Sequence, residues 1–268
     1  MARRWTLAEE VMYRKELTNL YITRNKTIGE IAPLLGIRES SVFDRMQRLG
    51  IQTTKETKPH YLNRRSDVVL PEHSAPLAEF LGIMLGDGHV SHFQTVVTLG
   101  SKELAYVRYV QRLMQHLFQV PARICPRPKG YRDVYIGSTL ITAWLGGQGL
   151  VHNKVKAQVG VPLWIMDDPE YMRAFVRGFF DTDGSVYRLR FGIQLSFTNY
   201  SAPILTALQN MLRRLGYRVS EASLYRIYIT RREDVWRFFK EIAPANSKHR
   251  RRFDKFARRW QSGKCTTL

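Results

Sequence analysis

One arrangement occurs twice in this chain: an apolar helical run closed by an acid and a glycine. The first copy is Phe80-Leu81-Gly82-Ile83-Met84-Leu85-Gly86-Asp87-Gly88, and the second is Val176-Arg177-Gly178-Phe179-Phe180-Asp181-Thr182-Asp183-Gly184. A single copy reads as an ordinary helix stop, because Asp-Gly is a common turn pair and glycine ends helices. Two copies, 183 − 87 = 96 residues apart and followed by matching patterns, read as an internal repeat. Asp87 and Asp183 are each predicted on the last turn of a helix, where the macrodipole disfavours a carboxylate. Small residues four apart, Gly82 and Gly86 in one helix and Gly178 and Thr182 in the other, allow the two backbones to approach closely. That contact would bring the carboxylates together, and two like charges at short range call for a cation between them. The expected metal site is therefore Asp87 and Asp183 with the adjoining Gly86 and Thr182, holding an oxygen-preferring divalent ion such as Mg²⁺, for which Mn²⁺ substitutes.

Beyond each copy the pattern repeats. An extended run from Val90 to Leu99 precedes an amphipathic helix bearing Leu104, Val107, Val110, Leu113, Met114 and Leu117; its counterpart is Ser185 to Thr198, with a turn near Phe191-Gly192, and a helix bearing Ile204, Leu205, Leu208, Met211, Leu212 and Leu215. Each half then offers two short strands, Arg123 to Arg127 with Tyr131 to Ile136, and Arg218 to Ala222 with Leu224 to Thr230, before a helix carrying Trp144 or Trp236. The expected fold class is α+β, two pseudo-symmetric αββαββα halves. Alternation sends Ile193, Leu195 and Phe197 to one face and Gln194, Ser196 and Thr198 to the other. Gln94 and Thr98 take the corresponding places in the first half, with Arg123, Arg127 and Tyr135 matching Arg218, Ala222 and Tyr228.

An ordinary solvated sheet would also be polar on one face. Charge tips the reading: 42 Lys and Arg against 23 Asp and Glu leave a formal charge of +19, which favours a polyanion partner. The polar-face residues expected to touch nucleic acid are Gln94, Arg123, Arg127, Arg188, Arg190, Gln194, Ser196, Arg218, Arg226 and Tyr228, with Lys154 anchoring a linker. No run of 18 apolar residues exists and no apolar signal core follows Met1-Ala2-Arg3-Arg4, so the expectation is an intracellular protein without a membrane span. Cys125 and Cys265 are too few for a disulfide framework or a four-ligand zinc site.

Residues 1–55 read as a separate module. Thr27 and Glu30 form a capping-box pattern, Ile28, Ile31, Ala32 and Leu35 an apolar face, and Gly36 a turn, as in a helix-turn-helix. Its second helix, about Glu39 to Leu49, would bury Val42, Met46 and Leu49 and expose Ser41, Asp44, Arg45 and Arg48 as a groove-reading face. Pro33 removes a hydrogen bond and is expected to bend or shorten the first helix. A polar linker over 56–73 leads to the first half at 74–150, and a second linker at 151–168 to the second half at 169–262.

These two motifs, at this spacing, resemble the single-chain, two-repeat LAGLIDADG homing endonucleases over roughly residues 74 to 262. Gly82 and Gly178 match the motif, as do the endings Asp87-Gly88 and Asp183-Gly184; Leu85 stands where the motif has its earlier acid, which Asp181 keeps. The resemblance implies helices that form the seam between half-domains, sheets that form a DNA-binding saddle, and terminal acids that hold metal at the scissile phosphates. It further implies hydrolysis of one phosphodiester per strand with short 3′ overhangs, on a long, non-palindromic duplex bound by a monomer. Thr98 and Thr198 fall where the family places residues that position water. The family's basic residue near the end of the fourth strand is matched by Arg231 in the second half, whereas Ile136-Gly137-Ser138 offers none in the first, with Lys102, Lys154 or Lys248 as substitutes. A non-cleaving regulator or an RNA-binding intron maturase on the same scaffold is the alternative. A nuclease of the HNH type, hinted at by Val151-His152-Asn153-Lys154, lacks supporting histidines.

Overall fold

The computed structural model describes residues 5–51, 53, 67–151, 157–223 and 225–262, with side chains to 258. The chain forms two compact units, Met1–Tyr61 and Leu62–Leu268.

The smaller unit is all-helical. Helix α1 (Leu7–Thr18) starts from a capping box between Thr6 and Glu9 and runs into a π-turn, Asn19–Thr23. Thr27 and Glu30 make a second capping box that starts α2 (Ile28–Leu35), which runs through Pro33 and stops where Gly36 adopts φ 62. Helix α3 (Glu39–Arg48) follows a three-residue turn, Gly36 to Arg38. Leu17, Tyr21, Ile31, Val42, Met46 and Leu49 form its core.

The larger unit opens with α4 (Ala75–Gly86), started by Ser74 and buried at every position from Leu77 to Leu85. A helix apolar all round belongs inside a fold, and each fully buried Leu, Ile, Phe or Met contributes about 1.5–3 kcal/mol. Then come β1 (Gly88–Val90), β2 (Gln94–Gly100), α5 (Leu104–Phe118), β3 (Arg123–Arg127), β4 (Tyr131–Gly137) and α6 (Thr139–Gly147). The four strands form one antiparallel sheet in the order β1-β2-β4-β3. After a short 3₁₀ turn the pattern restarts with α7 (Pro169–Asp183), capped by Asp168, then β5 (Gly184–Leu189), β6 (Gly192–Thr198), α8 (Ala202–Arg214), β7 (Arg226–Ile229) and α9 (Arg232–Glu241). This second sheet has three described strands, β5-β6-β7.

Two features depart from the sequence expectation. Residues Arg218 to Ala222 do not form a strand. The Arg218 N–H donates to the Asp234 carboxylate (3.0 Å) and so leaves the ladder, and only Ser220 pairs with Tyr228, its N–H donating to the Tyr228 carbonyl and its hydroxyl accepting the Tyr228 N–H. A further helix, α10 (Ser247–Ser262), closes the larger unit. Phe253 and Ala257 bury it against the shared core, with Phe253 stacked on Phe239 at 4.1 Å. Among the described residues no helix is long and apolar enough to cross a membrane.

Candidate active site

The repeat folds into a helix pair whose spacing is set by glycine. A Cβ on Gly82 would stand 2.3 Å from the Phe175 carbonyl oxygen, one on Gly178 would stand 2.1 Å from that of Glu79, and one on Gly86 would stand 2.0 Å from the Thr182 hydroxyl. Gly82 meets Phe175 and Phe179, and Gly86 one turn on meets Thr182, so α4 and α7 run parallel, and Asp87, the C-cap of α4, ends at the same tip as Asp183, the last residue of α7. The Asp183 carboxyl carbon lies 3.5 Å from the Cβ position of Gly86. Gly88 and Gly184 are needed for close approach, because a side chain there would strike the backbone of Met84 or Phe180 as the chain turns off the helix. Lower in the seam, the buried Glu79 carboxylate accepts from the Tyr109 hydroxyl at 2.6 Å and from the Arg177 guanidinium. Burial, then the Glu79 carboxylate, push the Tyr109 phenol well up.

The donor set at the tip suits a hard cation. Both helix ends present carboxylates and the last backbone carbonyls, an all-oxygen set at the negative end of two macrodipoles. The Thr182 hydroxyl donates back to the Gly178 and Phe179 carbonyls, which turns it towards its own helix backbone. Among the described residues no group of three or more His, Cys, Asp or Glu could hold a metal.

The strands then decide which polar side chains accompany the acids. In the first sheet the Thr98 N–H donates to the Asp87 carbonyl (3.3 Å) and its hydroxyl donates to Asp133 (2.8 Å), while the Arg127 Nε donates to the other Asp133 oxygen (2.5 Å). In the second sheet Thr198 is opposite Arg226, the place that Asp133 holds in the first. Arginines thus stand at the acid end of both sheets, Arg226 directly and Arg127 through Asp133. Register corrects the expected supporting residue: β6 and β7 are antiparallel, so the end of β7 and Arg231 lie away from Asp183, and the Arg231 Nε donates to Glu233 (2.9 Å). Lys248 is also engaged, its Nζ 3.4 Å from Glu103. Lys102 is exposed in the turn after β2, and Lys154 lies outside the described residues.

Gln94, Arg123 and Tyr135 share the Thr98 face, and Gln194, Tyr187, Tyr228 and Arg226 share the Thr198 face. Ser196 is on that face but buried between Ser185 and Tyr228. Arg188 is opposite Ile193 and so falls on the other face, a correction that follows from the two-residue period of a strand. Arg190 sits at the hairpin tip over the Phe191 ring, and Arg218 is exposed outside any strand. In the smaller unit the face of Ser41, Asp44, Arg45 and Arg48 is partly covered: the Arg45 guanidinium lies 4.6 Å from the Tyr13 ring and that of Arg48 4.4 Å from the Trp5 ring.

One residue enters the site without having been expected there, and the motif's earlier acid takes a structural role. Asn199 donates from Nδ2 to an Asp183 oxygen (3.1 Å) while its Oδ1 accepts the Ser201 N–H (2.9 Å), which fixes the amide orientation. Leu99 holds that place in the first half. Asp181, buried, accepts the N–H groups of Ala245 (2.9 Å) and Asn246 (3.0 Å) and so latches the start of α10; Asn246 reaches on to Glu103 at 2.7 Å. Burial pushes the Asp181 carboxyl up to about 7, against the pull of those two N–H groups. An asparagine one residue past the matched threonine was the available signal for Asn199.

Residues 170–243 match the family of LAGLIDADG-like domains, so the chain carries a LAGLIDADG-like domain in its second half. A replication factor C small subunit of Thermococcus kodakarensis is 27% identical over 173 residues, covering 62% of this chain and 19% of the relative, so the chain spans about a fifth of that relative's length. Among solved structures, variants of the homing endonuclease I-DmoI are similar at 16% identity over 63% of this chain and 94% of theirs, with a TM-score of 0.46. The N-terminal LAGLIDADG domain of DUF199/WhiA is similar at 19% identity over 65% and 86%, also with a TM-score of 0.46.

Proposed function

We propose that this chain, with its LAGLIDADG-like domain and a second, matching half, is a site-specific double-strand DNA endonuclease. The observation that carries the reading is the placement of Asp87 and Asp183 at one tip of a glycine-spaced helix pair, the least favourable end of a helix for a carboxylate. Two destabilising acids in one place are accounted for by a bound cation. Asp87 and Asp183, with the Gly86 and Thr182 carbonyls, would hold Mg²⁺ or Mn²⁺. Such an ion, when bound, activates a water nucleophile and stabilises the leaving oxygen of an in-line phosphodiester displacement.

The chain's own residues supply the rest. Asn199 orients the Asp183 carboxylate, Thr98 and Thr198 face the acid end of each sheet, and Arg226 and Arg127 counter the charge that develops on each phosphate. The two polar sheet faces bind a long duplex in sequence, one half-site each, so the protein acts as a monomer on a non-palindromic target and leaves short 3′ overhangs. Residues 1–55 add flanking contacts through Ser41, Arg45 and Arg48.

The test is incubation with a randomised duplex library and Mg²⁺, followed by end sequencing and by binding assays in Ca²⁺. Asp87→Asn and Asp183→Asn should each lower cutting by more than about a hundredfold, beyond the usual loss from a second-shell change. Binding should persist, and metal-free melting points should stay equal or rise, since each substitution removes a repelled charge. Variants that unfold readily, or that cut like the parent, would make the acids structural caps. A parent that binds but never cuts would favour a DNA-binding regulator on the same scaffold.

A further inference from the structure

Helix α10 carries a charge pattern that the sheet faces do not account for. Ser247–Ser262 holds seven Lys and Arg against one acid, Asp254. His249, Phe253 and Ala257 are buried on one side, in the layer that also contains Trp236 and Phe239 of α9. Arg251, Arg252 and Lys255 are exposed, and Lys248 and Arg258 continue the same line at helical spacing of three and four. The ridge therefore stands about half a turn from the buried side. Since that buried side packs on the core with Leu195 and Phe197, the apolar face of β6, the ridge points away from the polar face of the sheet.

The helix is also firmly placed. The Asp181 carboxylate takes the two N–H groups just ahead of it, the Asn246 side chain donates both to Glu103 (2.7 Å) and to the Asp181 carbonyl (3.2 Å), and Lys248 pairs with Glu103. From Arg251 to Arg258 the helix rises about 10 Å, which matches about three phosphates along one strand of a duplex.

We propose that α10 is a second duplex-binding surface, sequence-independent and separate from the sheets, which lets the protein hold another DNA segment while its target occupies the saddle. Charge complementarity along a straight, anchored ridge selects the phosphate backbone of a duplex as the partner. The inference rests on the reading of the sheets as the target-binding surface. It predicts two duplexes per protein rather than one, and a means of direct transfer between DNA segments.

The experiment compares two exposed pairs of equal charge and equal i,i+4 geometry: R251Q/K255Q on α10, and R108Q/R112Q on α5 in the first half. Native mass spectrometry counts short duplexes bound per protein, and a salt titration of non-specific duplex affinity gives the log–log slope. The expected result is two duplexes on the parent and on R108Q/R112Q and one on R251Q/K255Q, with a slope lower by about 1.8 in the α10 pair alone, at about 0.9 per lost phosphate contact. Equal slopes for the two pairs, or a single duplex on the parent with R251Q/K255Q unchanged, would overturn the proposal. A ridge that binds RNA or an acidic protein in preference to duplex would overturn the choice of partner. If instead it is the sheets that fail to bind DNA, the parent would hold one duplex and R251Q/K255Q none, so the two failures are distinguishable.

Discussion

The two halves of the larger unit place an acid at the same tip with different surroundings. In the first half Leu85 precedes Asp87 on α4, Leu99 is buried after Thr98, and Arg127 reaches Thr98 by way of Asp133. In the second half Asp181 latches α10, Asn199 holds Asp183, and Arg226 stands beside Thr198 with no acid between. Symmetry is kept where packing demands it, at the glycines of the seam and the threonines of the central strands. It is lost in the side chains beside the two acids, and on the proposed nuclease reading that loss has the two strands of one substrate handled unequally.

The seam itself is the shared part, and the largest effect should come from breaking it. Gly82→Ala and Gly178→Ala each drive a methyl into backbone, the Phe175 and Glu79 carbonyls, which no rotamer change relieves. Each should cost about 3 kcal/mol, the upper end of the overpacking range. Denaturant unfolding measures both. Losses that differ by more than about 1 kcal/mol would mean that the halves do not share the seam equally.

A smaller effect separates the halves. Asn199→Leu gives the second half the residue that the first half has at Leu99. Losing the amide that orients Asp183 should slow cutting about tenfold, within the range for residues that position a metal ligand. The slowing should fall on one strand and shift the ratio of nicked products, with binding unchanged. Equal slowing on both strands together with a lower melting point would make Asn199 a structural residue.

How far the sequence alone reached follows from the same contrast. The repeat, the apolar seam and the alternation in β2 and β6 are local patterns, legible because a period of two or four residues survives without tertiary information. Which end of β7 meets Asp183 depends on strand direction, so Arg231 looked close to the chemistry and Arg226 did not. The side taken by Arg188 depends on its pairing with Ile193. Helix α10 was hidden because only Phe253, Phe256 and Ala257 mark its apolar side amid arginines, and its anchor, Asp181, is 64 residues away from Ala245. The motif's earlier acid was legible as a residue apart from the chemistry, but its role as a latch needed the fold.

Among the described residues that latch belongs to the second half, and it has a pH signature. His249 is buried beside Asp181, its Nε2 3.4 Å from the Asp181 carbonyl and its ring 4.7 Å from that of Phe180. Burial, with Lys248 and Arg252 nearby, pushes its pKa down to about 3, so the ring is neutral in the folded protein. Between about 3 and the ordinary value near 6.5 the unfolded chain binds the proton that the folded His249 refuses, so the His249 contribution to stability rises with pH across that window, while Asp181, raised to about 7 by burial, contributes the opposite slope above about 4. At pH 6 the deficit is below about 1 kcal/mol, and it deepens by up to about 1.4 kcal/mol per unit of further acidification. His249→Gln removes the titration. Because Asp181 titrates in both proteins, the difference isolates the imidazole: measured at several pH values without metal, the variant's unfolding free energy should gain on the parent's as pH falls below about 6.5, with a constant offset above it. Parallel curves for the two proteins would show that His249 is not held neutral, and the second half would then lose its distinct acid response.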